Sequence, residues 1–301
     1  MRIVITGGTG LIGRHLSASL VADGHEVMVL SRAPSRAPKV PKGVNVVGWD
    51  ARTAEGWGEL ADGADAIVNL AGATLSRRWT PRYKQVIRDS RLNAGRAVVE
   101  AVRSANHRPE VVVQAAGVSL YGPHGDEPVT EDERAAETFL GRTAVAWEGS
   151  TTEAESLGVR RTIIRSAPVL SSEGGVFPLM ALPFRLFVGG PLGSGEQWLP
   201  WIHIEDEIRA IRFLIENRAA SGPFNLVAPE TVTYADFSAV LGRVMHRPAF
   251  FRVPAVALRL VLGEMSTIVL DGQRAVPSKL EALGFEYQYP ALETALRDLL
   301  T

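Results

Sequence analysis

Ile3-Val4-Ile5-Thr6-Gly7-Gly8-Thr9-Gly10-Leu11-Ile12-Gly13 is the stretch that decides the fold. An apolar, β-branched run, Ile3 to Ile5, breaks into three spaced glycines, and apolar residues return at helical spacing at Leu11, Leu16 and Leu20. That pattern reads as a buried strand, a tight turn and a helix that opens on the turn. Gly7 lets the chain turn sharply, and Gly10, with no Cβ, lets a pyrophosphate approach the backbone. Gly13 lets the helix lie close to the strand. Free N–H groups at the helix start, helped by the helix dipole, would then hold phosphates. Gly-rich turns are common, but the strand before and the helix after supply the context the motif needs. Gly7, Thr9, Gly10, Leu11, Ile12 and Gly13 are therefore the first expected cofactor contacts.

The next strand, Glu26 to Leu30, ends at Ser31-Arg32. An acidic residue about 20 positions beyond the glycines would take the ribose 2′-hydroxyl of NAD. Here a hydroxyl and a guanidinium stand instead, with Arg36 close behind, and both groups suit a 2′-phosphate. One charge-assisted bond contributes roughly 1.5–3 kcal/mol, about a ten- to hundredfold preference for NADP(H) over NAD(H). A solvated surface arginine is the competing reading of Arg32.

The chain has 301 residues, 32 Lys and Arg against 33 Asp and Glu, and no cysteine. That length suits one large α/β unit or a nucleotide-binding domain with a smaller partner. Interspersed charges give no basic stripe for nucleic acid. Disulfides, thiolate nucleophiles and cysteine metal sites are excluded. The six histidines are scattered, so no metal site is expected. Met1 runs directly into the first strand, and the apolar stretch from Phe177 to Val188 is broken by Pro178, Pro183 and Arg185. These features lead us to expect a cytoplasmic protein with no membrane partner. An oligomer is possible but cannot be read from the sequence.

Pro34 to Lys42 reads as a loop, Val44 to Gly48 as a third strand and Ala66 to Leu70 as a fourth. Asp50 follows the third strand, where it would meet an adenine amino group or simply sit in an exposed loop. Leu70, Ala71 and Gly72 end the fourth strand with small residues, against which ribose and pyrophosphate can lie. A helix is expected from Pro81 to Ser104, with Gln85 and Arg91 able to reach the cofactor or to sit on the surface. A fifth strand, Val111 to Ala115, leads to Gly117-Val118-Ser119-Leu120-Tyr121-Gly122. A helix from Ala135 to Leu157 and a strand from Arg161 to Arg165 follow. Pro168 to Gly195 reads as a binding segment rather than sheet, Ile204 to Ile215 as a helix and Pro223 to Val227 as a last strand. From Thr231 the chain is largely helical, ending in Leu292 to Leu300. The alternation predicts a Rossmann-like α/β fold: a doubly wound parallel sheet with a smaller, mostly helical C-terminal domain. The expected division is 1–165, with 204–227 returning, against 166–203 and 228–301.

Thr6-Gly7-x-x-Gly10-x-x-Gly13, Asn69-Leu70-Ala71-Gly72 and Tyr121-Gly122 resemble the extended short-chain dehydrogenase/reductase superfamily. Ser31-Arg32, Asp89-Ser90-Arg91, Gly189-Gly190-Pro191-Leu192-Gly193-Ser194-Gly195, Trp201-Ile202-His203-Ile204 and Leu262-Gly263-Glu264-Met265 are similar to an atypical branch of it. That branch is the NAD(P)-dependent epimerase/dehydratase-like family, also labelled nucleoside-diphosphate-sugar epimerase or cell-division inhibitor. The resemblance spans essentially the whole chain. It implies NADP as cofactor, lined by Ser31, Arg32, Leu70, Ala71, Arg91 and a residue near Val169. It also implies a Tyr-x-x-x-Lys pair, in which the lysine lowers the tyrosine pKa for proton exchange. None of the five tyrosines has a lysine four residues on; Thr143 and Trp147 take those places by their spacing to Glu148.

Tyr121 and Ser119 are then the nearest hydroxyls to the expected nicotinamide end and the candidate catalytic residues, although Tyr121 also reads as a packed turn aromatic. Glu148 is a base if buried near the cleft and a solvated helix residue otherwise. His203 reads as structural, bonded at the start of its helix. Two functions stand open. One is an NADP(H)-dependent oxidoreductase or epimerase-like enzyme acting on a small molecule. The other is an NADP(H)-binding sensor or protein-interaction module that has lost catalysis.

Overall fold

A computed structural model describes residues 1–36 and 40–301; the side chain of Arg36, and the rest of its loop at 37–39, lie outside the described residues. Six strands come first: β1 (Arg2–Thr6), β2 (Glu26–Ser31), β3 (Asn45–Gly48), β4 (Ala66–Asn69), β5 (Val111–Gly117) and β6 (Arg160–Ser166). Short strands β7 (Val169–Leu170), β8 (Trp198–Leu199) and β9 (Ile202–His203) follow, then β10 (Gly222–Leu226) and β11 (Val232–Thr233). The main sheet is parallel and seven-stranded, in the order β10-β6-β5-β4-β1-β2-β3. Strand order reverses between β1 and β4, and ligands of open α/β sheets bind at such a switch point.

Apolar residues on both faces of each strand explain why helices cover both. Ile3, Ile5, Val27, Val29 and Val68 pack with Leu16 and Leu20 of α1 (Leu11–Ala22) and Ile208, Ile211 and Leu214 of α6 (Ile204–Glu216). The alternate residues Val4, Met28, Leu30 and Ile67 pack with Ala94, Val98 and Val102 of α2 (Pro81–Ser104). Thr80 caps α2 by accepting from the Tyr83 N–H at 3.2 Å, with Pro81 in its first turn.

The expected helix from Ala135 to Leu157 is two pieces, α3 (Phe139–Gly149) and α4 (Glu153–Ser156). Thr138 caps α3 through the Gly141 N–H. At its other end the Ser150 hydroxyl turns back onto the Trp147 carbonyl at 2.6 Å, a local bond that competes with continued helix. Pro168 to Gly195 is also more structured than expected. It holds β7, which pairs with β9, and α5 (Phe177–Arg185).

The C-terminal region is mostly helical: α7 (Tyr234–Met245), α8 (Ala255–Leu262), α9 (Thr267–Leu270), α10 (Ser278–Ala282) and α11 (Leu292–Leu300). Thr233 and Asp236 form a reciprocal capping box on α7. Phe177, Phe184, Trp201, Phe237, Leu241, Leu292 and Leu296 form a separate core there. Among the described residues no helix is long and apolar enough to cross a membrane.

Candidate functional site

Three backbone contacts build the glycine turn. Gly7 has φ +69, and a Cβ there would stand 2.7 Å from the Leu70 carbonyl carbon and 2.9 Å from the Ala71 nitrogen. A Cβ on Gly13 would stand 2.4 Å from Gly8 Cα, so α1 can sit this close to the turn only with glycine in place. Gly10 is exposed and donates its N–H to the Gly7 carbonyl at 2.9 Å. No side chain caps α1, and its first turn carries no acidic residue. The N–H groups of Leu11, Ile12 and Gly13 therefore have no capping partner from the chain, an arrangement that suits an anion. Thr9, half-buried, accepts from Arg14 through its carbonyl at 3.5 Å.

Beside this cradle runs a row of buried polar side chains that sequence reasoning missed. Thr6 Oγ1 donates to Asn69 Oδ1 at 2.6 Å, Asn69 Nδ2 donates to Gln114 Oε1 at 2.8 Å, and Gln114 Nε2 donates to the Ala115 carbonyl at 2.7 Å. Thr6 Oγ1 also accepts from the Ala71 N–H at 3.3 Å, which fixes the loop after β4. Thr6 and Asn69 end β1 and β4, Gln114 lies within β5, and parallel register sets them side by side, Thr6 opposite Asn69 and Asn69 opposite Gln114.

Arg91 lies against that loop. A Cβ on Gly72 would be 3.0 Å from its Cζ, and its Nη1 donates to the carbonyls of Ala73 at 3.1 Å and Ile87 at 3.0 Å. Its guanidinium stacks over the Trp147 ring with Cζ 4.7 Å from the centroid. It is 9 % exposed and has no carboxylate partner among the described residues. Burial holds its pKa down at about 10. Buried charges are normally paired, so a buried cation without a carboxylate beside the switch point suits an anionic ligand.

The candidate catalytic residues fare differently. Tyr121 is fully buried: its hydroxyl donates to Asn225 Oδ1 at 2.6 Å and accepts from Arg165 Nη1 at 3.0 Å. Burial pushes its pKa up to about 12, with Arg165 opposing. The turn at Val118–Leu120 rotates Tyr121 into the core beneath β6 and β10, so the structure corrects its assignment as an acid at the cleft. Tyr121→Phe is expected to cost about 1–3 kcal/mol in urea unfolding, because Asn225 and Arg165 lose a buried partner. Nucleotide affinity should be unchanged; a loss of affinity at full stability would contradict this placement. Ser119 sits half-buried at the end of β5, and its hydroxyl has no hydrogen bond among the described residues. Glu148 is neither a free base nor solvated, since both its oxygens pair with Arg165 at 2.8 and 3.0 Å. Thr143 gives its hydroxyl to the Phe139 carbonyl at 2.7 Å, and the Trp147 indole nitrogen is buried without a partner.

Comparison with known proteins places this geometry. The model of the NAD-dependent epimerase/dehydratase family matches residues 3–227. The chain belongs to that epimerase/dehydratase family. A domain of unknown function, DUF1731, matches residues 253–299. The chain is 41% identical over 300 residues to the epimerase family protein SH2119 of Staphylococcus haemolyticus, covering 99% of each. Among solved structures it is similar to the human epimerase family protein SDR39U1 with NADPH, at 34% identity and TM-score 0.89 over 99% of each chain. It also resembles a nucleoside-diphosphate sugar epimerase from Corynebacterium glutamicum, at 31% identity and TM-score 0.80, covering 100% of this chain and 58% of that one.

The remaining expected contacts of this epimerase-family chain divide by position. Ser31, 9 % exposed, ends β2 and accepts from the Ala33 N–H at 3.3 Å, and Arg32 beside it is exposed with no ion pair among the described residues. Val169 and Leu11 meet at Gly175, where a Cβ would be 2.9 Å from Leu11 Cδ2 and 3.6 Å from the Val169 carbonyl oxygen. Asp50 is occupied in its own turn, where it accepts from the N–H groups of Arg52 at 2.7 Å and Thr53 at 2.9 Å; the Thr53 bond first and the Arg52 bond after it lower its pKa. Of the two readings of Asp50, the structure shows the exposed loop position, with the carboxylate bonded into its own turn. Gln85 is exposed and lies six positions before Arg91, about 120° away around the helix, so the two do not share a face. His203 takes the structural role expected, with Nδ1 accepting from the Glu205 N–H at 3.2 Å. Lys84, also on α2, is paired with Glu264 across to the C-terminal region.

Proposed function

We propose that this chain is an NADP(H)-dependent oxidoreductase or epimerase-like enzyme acting on a small molecule. Its substrate would lie between the carboxyl end of the sheet and the helical C-terminal region. A cofactor domain of 1–165 with 204–227, and a substrate-side part of 166–203 and 228–301, belong to the same reading. The observation that carries it is Arg91, a buried cation without a carboxylate, set beside a glycine turn whose close approaches a Cβ would block. A nicotinamide dinucleotide fits both features, and the NADPH held by the human relative supports the phosphorylated form.

When bound, the cofactor supplies hydride transfer at its nicotinamide. The free N–H groups of α1 would hold the diphosphate, and Arg91 would neutralise anionic charge beside the loop at Leu70, Ala71 and Gly72. Arg32 and Ser31 would take a 2′-phosphate. Ser119 Oγ is the nearest free hydroxyl at the sheet's end and would hold or pass a proton there, with water as its partner.

Titration with NADPH and NADH, followed by nucleotide fluorescence, tests the cofactor. About a ten- to hundredfold preference for NADPH is expected, and Arg32→Ala should remove most of it. Equal affinities that Arg32→Ala leaves alone would sink the NADP assignment. Turnover of NADPH over a panel of carbonyl compounds, with Ser119→Ala reducing it, tests the chemistry. The second reading, a sensor without catalysis, is favoured by the locked Tyr121 and by Trp147 in the place of a lysine. Tight NADPH binding with no turnover on the whole panel selects it.

A further inference from the structure

We propose that the face formed by the end of α5, the turn before α8 and α8 itself docks on an anionic lipid surface. Most large apolar residues of this fold are buried, but here they protrude. Phe250, Leu260 and Val261 are 74, 77 and 71 % exposed, and α8 buries none of its residues. The patch is continuous. Phe251 donates its N–H to the Gly189 carbonyl at 3.1 Å, and the Arg247 guanidinium lies over the Phe187 ring, 4.3 Å from its centroid. Exposed apolar surface of this extent marks an interaction site.

Charge selects the partner. Residues 177–193 and 246–262 carry four arginines (Arg185, Arg247, Arg252 and Arg259) and no Asp or Glu, in a chain whose formal net charge is only −1. None of the four forms an ion pair among the described residues. Glu264, just beyond α8, is already paired with Lys84. A second copy of this chain fits poorly, because a two-fold contact would bring four arginines against four arginines, with only Asp271, already near Arg259, as a carboxylate beside them. A bilayer of anionic headgroups satisfies both features. The aromatic and aliphatic tips enter the boundary between headgroups and acyl chains, while the arginines meet phosphates. The expectation of no membrane partner rested on the absence of a spanning segment, a criterion blind to a peripheral face.

Co-sedimentation of the full chain with vesicles tests this. Vesicles of phosphatidylcholine with about a quarter phosphatidylglycerol should bind it, pure phosphatidylcholine should bind it far less, and added salt should release it. Arg252→Gln and Arg259→Gln should each weaken binding about fivefold, and Leu260→Asp with Val261→Asp should abolish it. All these positions are exposed, so circular dichroism and thermal unfolding should stay as in the parent chain. Failure to bind, equal binding to both vesicles, binding that survives the Leu260→Asp, Val261→Asp pair, or a dimer which that pair dissociates would each overturn the proposal.

Discussion

Arg91→Met is expected to weaken NADPH binding about ten- to hundredfold and to lower the stability of the free protein only modestly, by about 1–4 kcal/mol. The first half follows if Arg91 meets an anionic group of the cofactor, since a charge-assisted bond contributes roughly 1.5–3 kcal/mol. The second half follows from what the side chain does without a ligand. Its pKa falls from 12.5 to about 10 through burial, so holding the guanidinium charged costs the native state on the order of 3 kcal/mol. Against that stand two charge-assisted bonds to the carbonyls of Ala73 and Ile87, roughly 1.5–3 kcal/mol each, and the stack on Trp147, about another 1 kcal/mol. The balance favours the native state by about 1–4 kcal/mol, and methionine, which keeps much of the volume, limits the loss to that range. A purely structural arginine would show the same fall in stability with affinity holding. Calorimetric titration and thermal unfolding of the same two proteins separate the cases.

The glycine turn was legible because everything it needs is local: a strand, three spacings and a helix within eleven residues. The polar row was not. Thr6, Asn69 and Gln114 are visible as polar interruptions near strand ends, but only register makes them neighbours, and register is a long-range property of the sheet. Tyr121 misled because its position after β5 is right and its direction is wrong. One short turn carries the hydroxyl away from the cleft to Asn225, 104 residues further along the chain. The acidic triplet Glu205-Asp206-Glu207 reads as ordinary charge at a helix start. Glu205 alone is exposed; Asp206 accepts from the N–H groups of Gln288 and Tyr289 at 2.7 and 2.8 Å, and Glu207 turns into the core. What covers Asp206 arrives some eighty residues later, so no local pattern could announce it.

Glu207 carries the second large expectation. It is fully buried on α6; Oε1 accepts from Ser166 Oγ at 2.6 Å, and Oε2 has no partner among the described residues. Burial pushes its pKa from 4.5 up to about 8, with the Ser166 bond working against that rise. Between those values the native state keeps a proton that the unfolded chain has released. Stability therefore falls as pH rises from about 4.5, and the loss levels off above about 8. At roughly 1.4 kcal/mol per unit, the loss at the alkaline end is on the order of 4–5 kcal/mol. Glu207→Gln keeps the shape and the acceptor for Ser166 but cannot ionise. The variant should match the parent to within about 1 kcal/mol at pH 5 and exceed it by several kcal/mol at pH 8 to 9. His203, whose pKa is lowered by burial against the pull of Asp298, acts with the opposite sign, because the unfolded chain binds the proton first as pH falls. It is present in both proteins, so the difference between their urea midpoints isolates Glu207. A difference that stays flat from pH 5 to pH 9 would mean that Glu207 is already ionised in the native core and that its charge is met there by a partner.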